Sequence, residues 1–188
     1  MSVDEIFAEL SAHMEKGLLV HDQLSSAFKF LNLDGYCKCH KYHYFEESYN
    51  YKKLKDYYIK YFNKLLPFVT IETPNFIPST WFKYTRSAVD ASTIRNGIRD
   101  LMRVWVDWET EAKTLFEKSY TDLLGLGEVC AAQFVGIFAS ETNAELAGAR
   151  EKWMNLEASG YDMTLILEEQ NTLEQYYHTQ IKEIFNDD

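Results

Sequence analysis

The sequence has few of the residues that interrupt helices. Only three of its 188 residues are proline, and Pro67, Pro74 and Pro78 all lie within one short stretch. Proline lacks the backbone N–H that a helix interior needs, and the β-branched residues at 69–71 favour extended backbone. This stretch is therefore predicted to be extended, whereas the long segments on either side of it are predicted to be helical.

Cysteine is also scarce. The three cysteines, Cys37, Cys39 and Cys130, are an odd number, and the C-x-C spacing fits neither a disulfide framework nor a zinc quartet. On a helix, Cys37 and Cys39 point about 200° apart, so packing is favoured over a shared soft-metal site with the neighbouring His40 and His43. We expect reduced thiols.

The features of membrane and nucleic-acid-binding proteins are missing as well. No apolar run approaches the ~18 residues of a membrane-spanning helix, and acidic Asp4 and Glu5 stand where a targeting signal has basic residues. Acidic residues outnumber basic ones by 29 to 19, and the formal charge of −10 disfavours a phosphate-binding surface. No catalytic Ser/His/Asp set or phosphate-binding glycine loop is visible. We expect a cytoplasmic protein with no nucleic-acid or membrane partner.

The chain is rich in hydrophobic residues at helical spacing. They make up 46% of the sequence, enough for the core of one domain over 1–188, and they recur at steps of three and four. The predicted elements are helices over 4–31, 33–65, 87–123, 128–158 and 163–185, with an extended crossover over 66–86. Short turns join the first two helices and the next two. The pattern predicts an all-α, antiparallel four-helix bundle with one long crossover and a C-terminal fifth helix.

Several carboxylates interrupt the apolar faces of these helices. Glu141 and Glu145 lie four residues apart, one above the other, within the apolar run 134–145. Glu47 and Glu109 fall on the inner stripes of the second and third predicted helices. A carboxylate at the border of such a stripe usually reaches water, but acids converging in one interior need cations or protons. The sequence therefore suggests a cation site inside the bundle.

These residues also carry a family resemblance, to ferritins. Parts of the second predicted helix resemble the second ferritin helix, 66–74 is similar to the start of the ferritin crossover, and 134–145 resembles the fourth-helix run that ends in Glu-Gln-x-x-Glu. Trp108-Glu109 resembles the His-Glu or similar pair on the third ferritin helix, and the 36 residues from Glu109 to Glu145 match the family separation. The segments of the second helix that carry the resemblance are 33–35, 45–50 and 54–57.

The resemblance implies a di-iron ferroxidase site. In ferritins such a site oxidises Fe(II) with oxygen or peroxide, and ferric iron is stored inside an oligomeric cage. Carried over by position, Glu47 is the bridging carboxylate, and Glu109 and Glu145 ligate the second iron. Glu46 and Glu141 match an accessory third iron site of some ferritins. Iron suits these residues because it prefers carboxylate oxygen with some imidazole. The implied partners are iron, the oxidant and further copies of the chain, from a dimer up to a cage.

The sequence departs from the ferritin pattern at the first iron. Asn50 stands where the family has the His of Glu-x-x-His, and Met14 stands at the iron-binding Glu of the first helix. Glu15 reaches that role only with a one-residue shift in register, and His43 or His21 is the candidate imidazole.

The crossover is the second departure from the ferritin pattern, because it is longer than the crossover of ferritins. The segment 81–84 is the predicted insertion.

The resemblance to ferritins, with these departures from it, leaves two functions open. The first is a ferritin-like iron-binding protein with oxidation at Glu47, Glu109 and Glu145. The alternative is a metal-degenerate subunit of ferritin fold, kept for assembly or partner binding, without ferroxidase activity. Unpaired buried acids are costly, and this favours the first function, because a degenerate site would have lost these acids.

Overall fold

The computed structural model describes residues 1–67 and 89–186 and, between them, residues 70, 71, 75–77, 81, 85 and 87. The described residues form five α-helices and no strand. The helices are α1 (Val3–Phe30), α2 (Asp34–Phe62), α3 (Ala91–Gly125), α4 (Val129–Ala158) and α5 (Met163–Asn186). None of them combines the length and the apolar composition that a membrane span requires.

The ends of the helices differ slightly from the predicted ones, and local capping explains the differences. α3 begins at 91 and not at 87, because the Asp90 carboxylate accepts a hydrogen bond of 2.7 Å from the Thr93 amide and caps the helix. α2 stops at 62 and not at 65, because Asn63 adopts the left-handed conformation with φ of 53°. α3 also continues past the predicted end at 123 to Gly125.

The bundle has two apolar halves, one at each end. One half joins the start of α1 and of α4 to the ends of α2 and α3, and it contains Ile6, Tyr58, Leu123 and Ala131. The other half joins the end of α1 and of α4 to the starts of α2 and α3, and it contains Leu31, Tyr36, Ile98 and Leu156. Hence α1 and α4 run one way and α2 and α3 the other. The chain between α2 and α3 must therefore span the whole length of the bundle, as the sequence predicts.

A polar layer separates these two apolar halves. On α1 it lies between Met14 of one half and Leu24 of the other, and on α4 between Ala139 and Leu146. The buried polar side chains His21, His40, His43 and Glu109 all belong to this layer. Polar groups in such a position need partners, which makes this layer the place to look for chemistry.

The crossover contacts the outside of the α1–α3 pair. The Phe76 amide donates to the Gln23 side chain at 2.8 Å, and the Phe76 ring meets the Trp108 ring edge-on with centroids 6.2 Å apart. Trp81 packs against Phe30, with ring centroids 6.5 Å apart. The predicted insertion at 81–84 lies, apart from residue 81, outside the described residues.

α5 folds back along α2 and runs in the same direction. Gln170 lies beside Gly35, and Glu174 forms an ion pair of 2.7 Å with Lys38. Leu173 is buried on the inner side of α5, whereas several apolar side chains on its other side are exposed. The fifth helix is thus part of the bundle wall along α2.

Candidate metal centre

The polar layer brings carboxylates and imidazoles from three helices, and an aromatic ring from α3, around one small cavity. The cavity has a volume of about 20 Å³, which suits a water molecule or an ion and excludes an organic ligand. The helical spacing explains its lining, because residues three or four apart project from the same face of a helix. The side chains that line it are Met14, His21, His43, Glu46, Glu47, Asn50, Phe116, Phe138, Glu141, Thr142 and Glu145.

Three donors are already placed to share one ion. The side chains of His43, Glu46 and Glu145 each offer a ligand atom, and these atoms all lie within 4.8 Å of one another. His43 Nδ1 is 3.3 Å from a Glu46 oxygen and 3.9 Å from a Glu145 oxygen. Burial opposes the charged form of His43, but contacts with Cys39 and Glu46 and the charge of Glu145 raise its pKa well above the ordinary value. In the metal-free protein, the imidazolium therefore neutralises part of the acidic charge.

Glu109 is the most deeply buried acid of this layer. Its side chain is only 2% exposed, and one oxygen accepts a hydrogen bond of 3.0 Å from the Trp105 indole. His21 Nε2 lies 3.9 Å from the same oxygen. Burial, with the nearby charge of Glu47, raises the pKa of Glu109 to about 7, although His43 and the Trp105 hydrogen bond act the other way.

Glu47 fits into space that a glycine provides. A Cβ at Gly17 would lie 3.0 Å from the Glu47 carboxyl carbon and from one of its oxygens. Burial and the charge of Glu145 raise the pKa of Glu47 to about 8. Burial and the charge of Glu109 raise the pKa of Glu145 to about 8. These acids repel one another when ionised, so a bound cation would relieve an existing electrostatic cost.

The other predicted ligands lie at the edge of the cavity or beside it. Glu141 is an exposed residue on the cavity rim, and the Asn50 amide donates to it at 3.4 Å. Glu15 accepts a hydrogen bond of 3.3 Å from the Tyr51 hydroxyl, whereas Met14 lines the cavity. α1 thus presents a thioether and not a carboxylate to the cavity.

Sequence reasoning missed three residues of this layer. His40 is fully buried, with its Nδ1 3.1 Å from Nδ1 of His21, and burial lowers the pKa of both imidazoles well below the ordinary value. Trp105 holds Glu109, and Gly17 makes room for Glu47. The spacing of three between His40 and His43 was the available signal for His40. Gly17 carried none, because its role depends on a side chain from another helix.

The class of protein is defined by these features together. Four helices with one long crossover, and a carboxylate and imidazole layer at mid-length, describe a ferritin-like bundle. The sequence matches no family model, and it matches no curated protein. Among solved structures, it is similar to an open-pore ferritin from the hyperthermophilic archaeon Archaeoglobus fulgidus, with a TM-score of 0.75 and 15% identity over 93% of this chain and 96% of that chain.

A second solved structure gives the same result. It is a closed form of the Archaeoglobus fulgidus ferritin made by site-directed mutagenesis, with a TM-score of 0.74 and 15% identity over the same shares of the two chains. The chain therefore has the ferritin-like fold, as the resemblance in its sequence led us to expect. At this identity, the comparison establishes the fold alone, and the chemistry has to be argued from the residues.

Proposed function

We propose that this protein binds Fe(II) as its substrate in the polar layer and oxidises it there. The observation that carries this proposal is the convergence of His43, Glu46 and Glu145 within 4.8 Å, next to Glu47 and Glu109. Carboxylate oxygen with one or two imidazoles is a donor set that suits iron. The small cavity and the raised pKa values of Glu47, Glu109 and Glu145 also fit a cation that displaces protons.

Two iron positions can be assigned to the residues of this layer. His43, Glu46 and Glu145 would hold one iron, with His43 in the role of the imidazole that Asn50 cannot supply. Glu109 and His21 would hold the other, and Glu47 would bridge the two. Each Fe(II) gives up one electron, so two irons together reduce one peroxide to two waters with the uptake of two protons, or reduce oxygen to peroxide.

Storage and assembly belong to the same proposal. An oxidised, poorly soluble product needs an enclosed space, and a homo-oligomer between a dimer and a cage would supply it. The ferritin-like fold supports this proposal by analogy only. Size-exclusion chromatography with mass detection measures the oligomer directly.

The test is an anaerobic titration of the metal-free protein with Fe(II), followed by exposure to oxygen or peroxide. We expect saturable binding of about two irons per chain and fast oxidation, seen as a near-ultraviolet absorbance. Glu47→Ala and Glu145→Gln should each abolish tight binding. Glu157→Gln, an exposed position on the same helix as Glu145, should bind as the wild type does. Unchanged binding in Glu47→Ala would refute the assignment.

The alternative function is supported by two of the residues described above. Met14 lines the cavity where a carboxylate is usual, and Asn50 is held by Glu141. A metal-degenerate subunit that serves assembly or partner binding fits these two substitutions. In that case the wild-type protein would show no saturable Fe(II) binding, and Glu47→Ala would leave both folding and assembly intact.

A further inference from the structure

His40 occupies a place in the core that would suit an apolar side chain. Its ring is fully buried, stacks on the Phe28 ring with centroids 5.3 Å apart, and meets the Trp105 ring edge-on at 4.7 Å. Within the described residues, its Nε2 atom is buried and has no hydrogen-bond partner. A buried imidazole with incomplete hydrogen bonding costs free energy, so packing alone does not account for a histidine at this position.

The hydrogen bond that His40 does make is to His21, across the interface between α1 and α2. The two Nδ1 atoms lie 3.1 Å apart, and the planes of the two rings are inclined by 23°. Two ring nitrogens at this distance form a hydrogen bond when one carries a proton and the other offers a lone pair. The other nitrogen of His21, Nε2, lies 3.9 Å from a Glu109 oxygen, and the His21 ring lines the cavity. His21 therefore joins His40 on one side to the metal centre on the other.

We propose that His40 is a positioning residue for His21, and that its Nδ1 atom accepts the proton on Nδ1 of His21 while Nε2 of His21 binds the cation. A neutral imidazole that ligates through Nε2 carries its one proton on Nδ1, so this proton needs an acceptor. This inference rests on the proposed function, since it concerns the iron assigned to Glu109 and His21.

The physical reason applies to metal-binding imidazoles in general. The partner of one ring nitrogen fixes the ring orientation and the tautomer that leaves the other nitrogen as the ligand. The loss of such a partner typically lowers metal affinity about 10- to 100-fold. His40 does not line the cavity, so its imidazole is placed to hold His21 and not to ligate the ion itself. When it accepts at Nδ1, the neutral His40 ring carries its own proton on Nε2.

The first test uses Co(II) as a spectroscopic probe with the full-length protein. His40→Leu, which keeps the bulk but removes the acceptor, should lower Co(II) affinity about 10- to 100-fold. His40→Gln offers an amide oxygen as acceptor and should restore most of the affinity. Unchanged Co(II) affinity in His40→Leu would overturn the positioning role.

His13→Leu is the matched control for this substitution. His13 is also a deeply buried histidine, but its ring stacks on Trp108 with centroids 4.2 Å apart and does not line the metal cavity. This variant should bind Co(II) as the wild type does. An equal loss of affinity in His13→Leu would overturn the inference, because any buried histidine would then have the same effect.

Nuclear magnetic resonance of the ¹⁵N-labelled wild type tests the hydrogen bond itself. In the metal-free protein, a scalar coupling should connect the Nδ1 atoms of His21 and His40. With Zn(II), a diamagnetic ion, the ring shifts should place the proton of His21 on Nδ1 and that of His40 on Nε2. Absence of the coupling would overturn the inference whether or not metal binds. Loss of the proton from both Nδ1 atoms with Zn(II) would overturn it too, because the ion would then lie between the two rings.

These measurements separate the inference from the proposed function. If the wild type bound neither Co(II) nor Fe(II), the proposed function would fail, and the role of His40 in ligation would fail with it. Tight binding by the wild type together with tight binding by His40→Leu would overturn the role of His40 alone.

Discussion

At the scale of single residues, the centre depends on space as much as on donors. The Glu47 carboxylate has room beside α1 because α1 has a glycine at that level. The Trp105 indole fixes one oxygen of Glu109. His43, four residues before Glu47 on the same face, faces the two remaining carboxylates. Glutamate and histidine are common residue types, and it is the neighbouring residues that hold them in a single arrangement.

Replacing Gly17 by alanine tests this role of space. The new Cβ would lie 3.0 Å from the Glu47 carboxyl group, so that side chain has to move. We expect Gly17→Ala to lower Co(II) affinity about 10-fold or more. The free energy of unfolding should change by no more than about 1 kcal/mol, since the better helix propensity of alanine offsets the crowding. Isothermal titration and urea unfolding measure the two quantities.

Gly148→Ala is the matched control for this change. Gly148 lies within α4, and a Cβ added there would meet nothing within 4 Å, so alanine at this position should add about 1 kcal/mol of stability. Co(II) affinity should not change in this variant. Normal Co(II) binding by Gly17→Ala would show that Glu47 is not held in the position described.

At the scale of elements, α5 distinguishes this chain from a plain four-helix bundle. It starts at the end where α4 stops and then follows α2, with Leu173 buried and Glu174 paired to Lys38. Its register is set where the backbones of Gly35 and Gln170 meet. A helix placed in this way shields the α2 side of the polar layer.

Replacing Gly35 by alanine should therefore displace α5. A Cβ located 1.8 Å from a backbone oxygen cannot be accommodated by the rotation of a side chain, so the helix itself must shift. We expect amide hydrogen exchange over 163–184 to become faster, while exchange within α1, α3 and α4 stays close to that of the wild type. Unchanged protection over 163–184 would show that the close approach is not what holds α5. Gly125→Ala, with open space around it, is the control.

At the scale of the whole molecule, the bundle consists of two apolar halves around a layer of titratable groups. In the metal-free protein, ionisation of the acids in this layer lowers the stability of the folded state. The folded-state pKa values of Glu47 and Glu145 are raised from 4.5 to about 8, and that of Glu109 to about 7. A group with a raised folded pKa stabilises the folded state fully below its unfolded pKa, and this contribution is lost as the pH rises through the folded pKa.

The free energy of unfolding of the metal-free protein should therefore fall between pH 6.5 and pH 8. Each titrating group contributes at most about 1.4 kcal/mol per pH unit. The raised pKa of His43 also lowers the free energy of unfolding as the pH rises over this range. The lowered pKa values of His13, His21 and His40 affect the free energy of unfolding only below about pH 6.5. Urea unfolding at several pH values measures the slope. Glu109→Gln should make the slope shallower, and a slope identical to that of the wild type would contradict the raised pKa of Glu109.

A bound cation should reverse this trend, since it replaces the protons on the acids. At a free concentration of 100 times Kd, Co(II) should add about 2.7 kcal/mol to the free energy of unfolding. The added stability at a fixed total Co(II) concentration should grow from pH 6.5 to pH 8, because fewer protons then compete for the carboxylates.

The sequence by itself determined the helices and the side of each helix that turns inward. This is local information, since a period of 3.6 residues places Glu47 and Glu109 on apolar stripes and Glu145 at the border of one, and the prolines confine the crossover to one stretch. The family resemblance added the ferritin-like fold, which the similar solved structures confirm.

Only the tertiary structure decided how these stripes meet. The approach of His43 to Glu145, the pairing of His21 with His40, the space at Gly17 and the contact of Gly35 with α5 each join residues on different helices. No periodicity within one helix encodes such contacts. They depend on the rotation and the height of one helix against another, which the packing of the whole bundle sets.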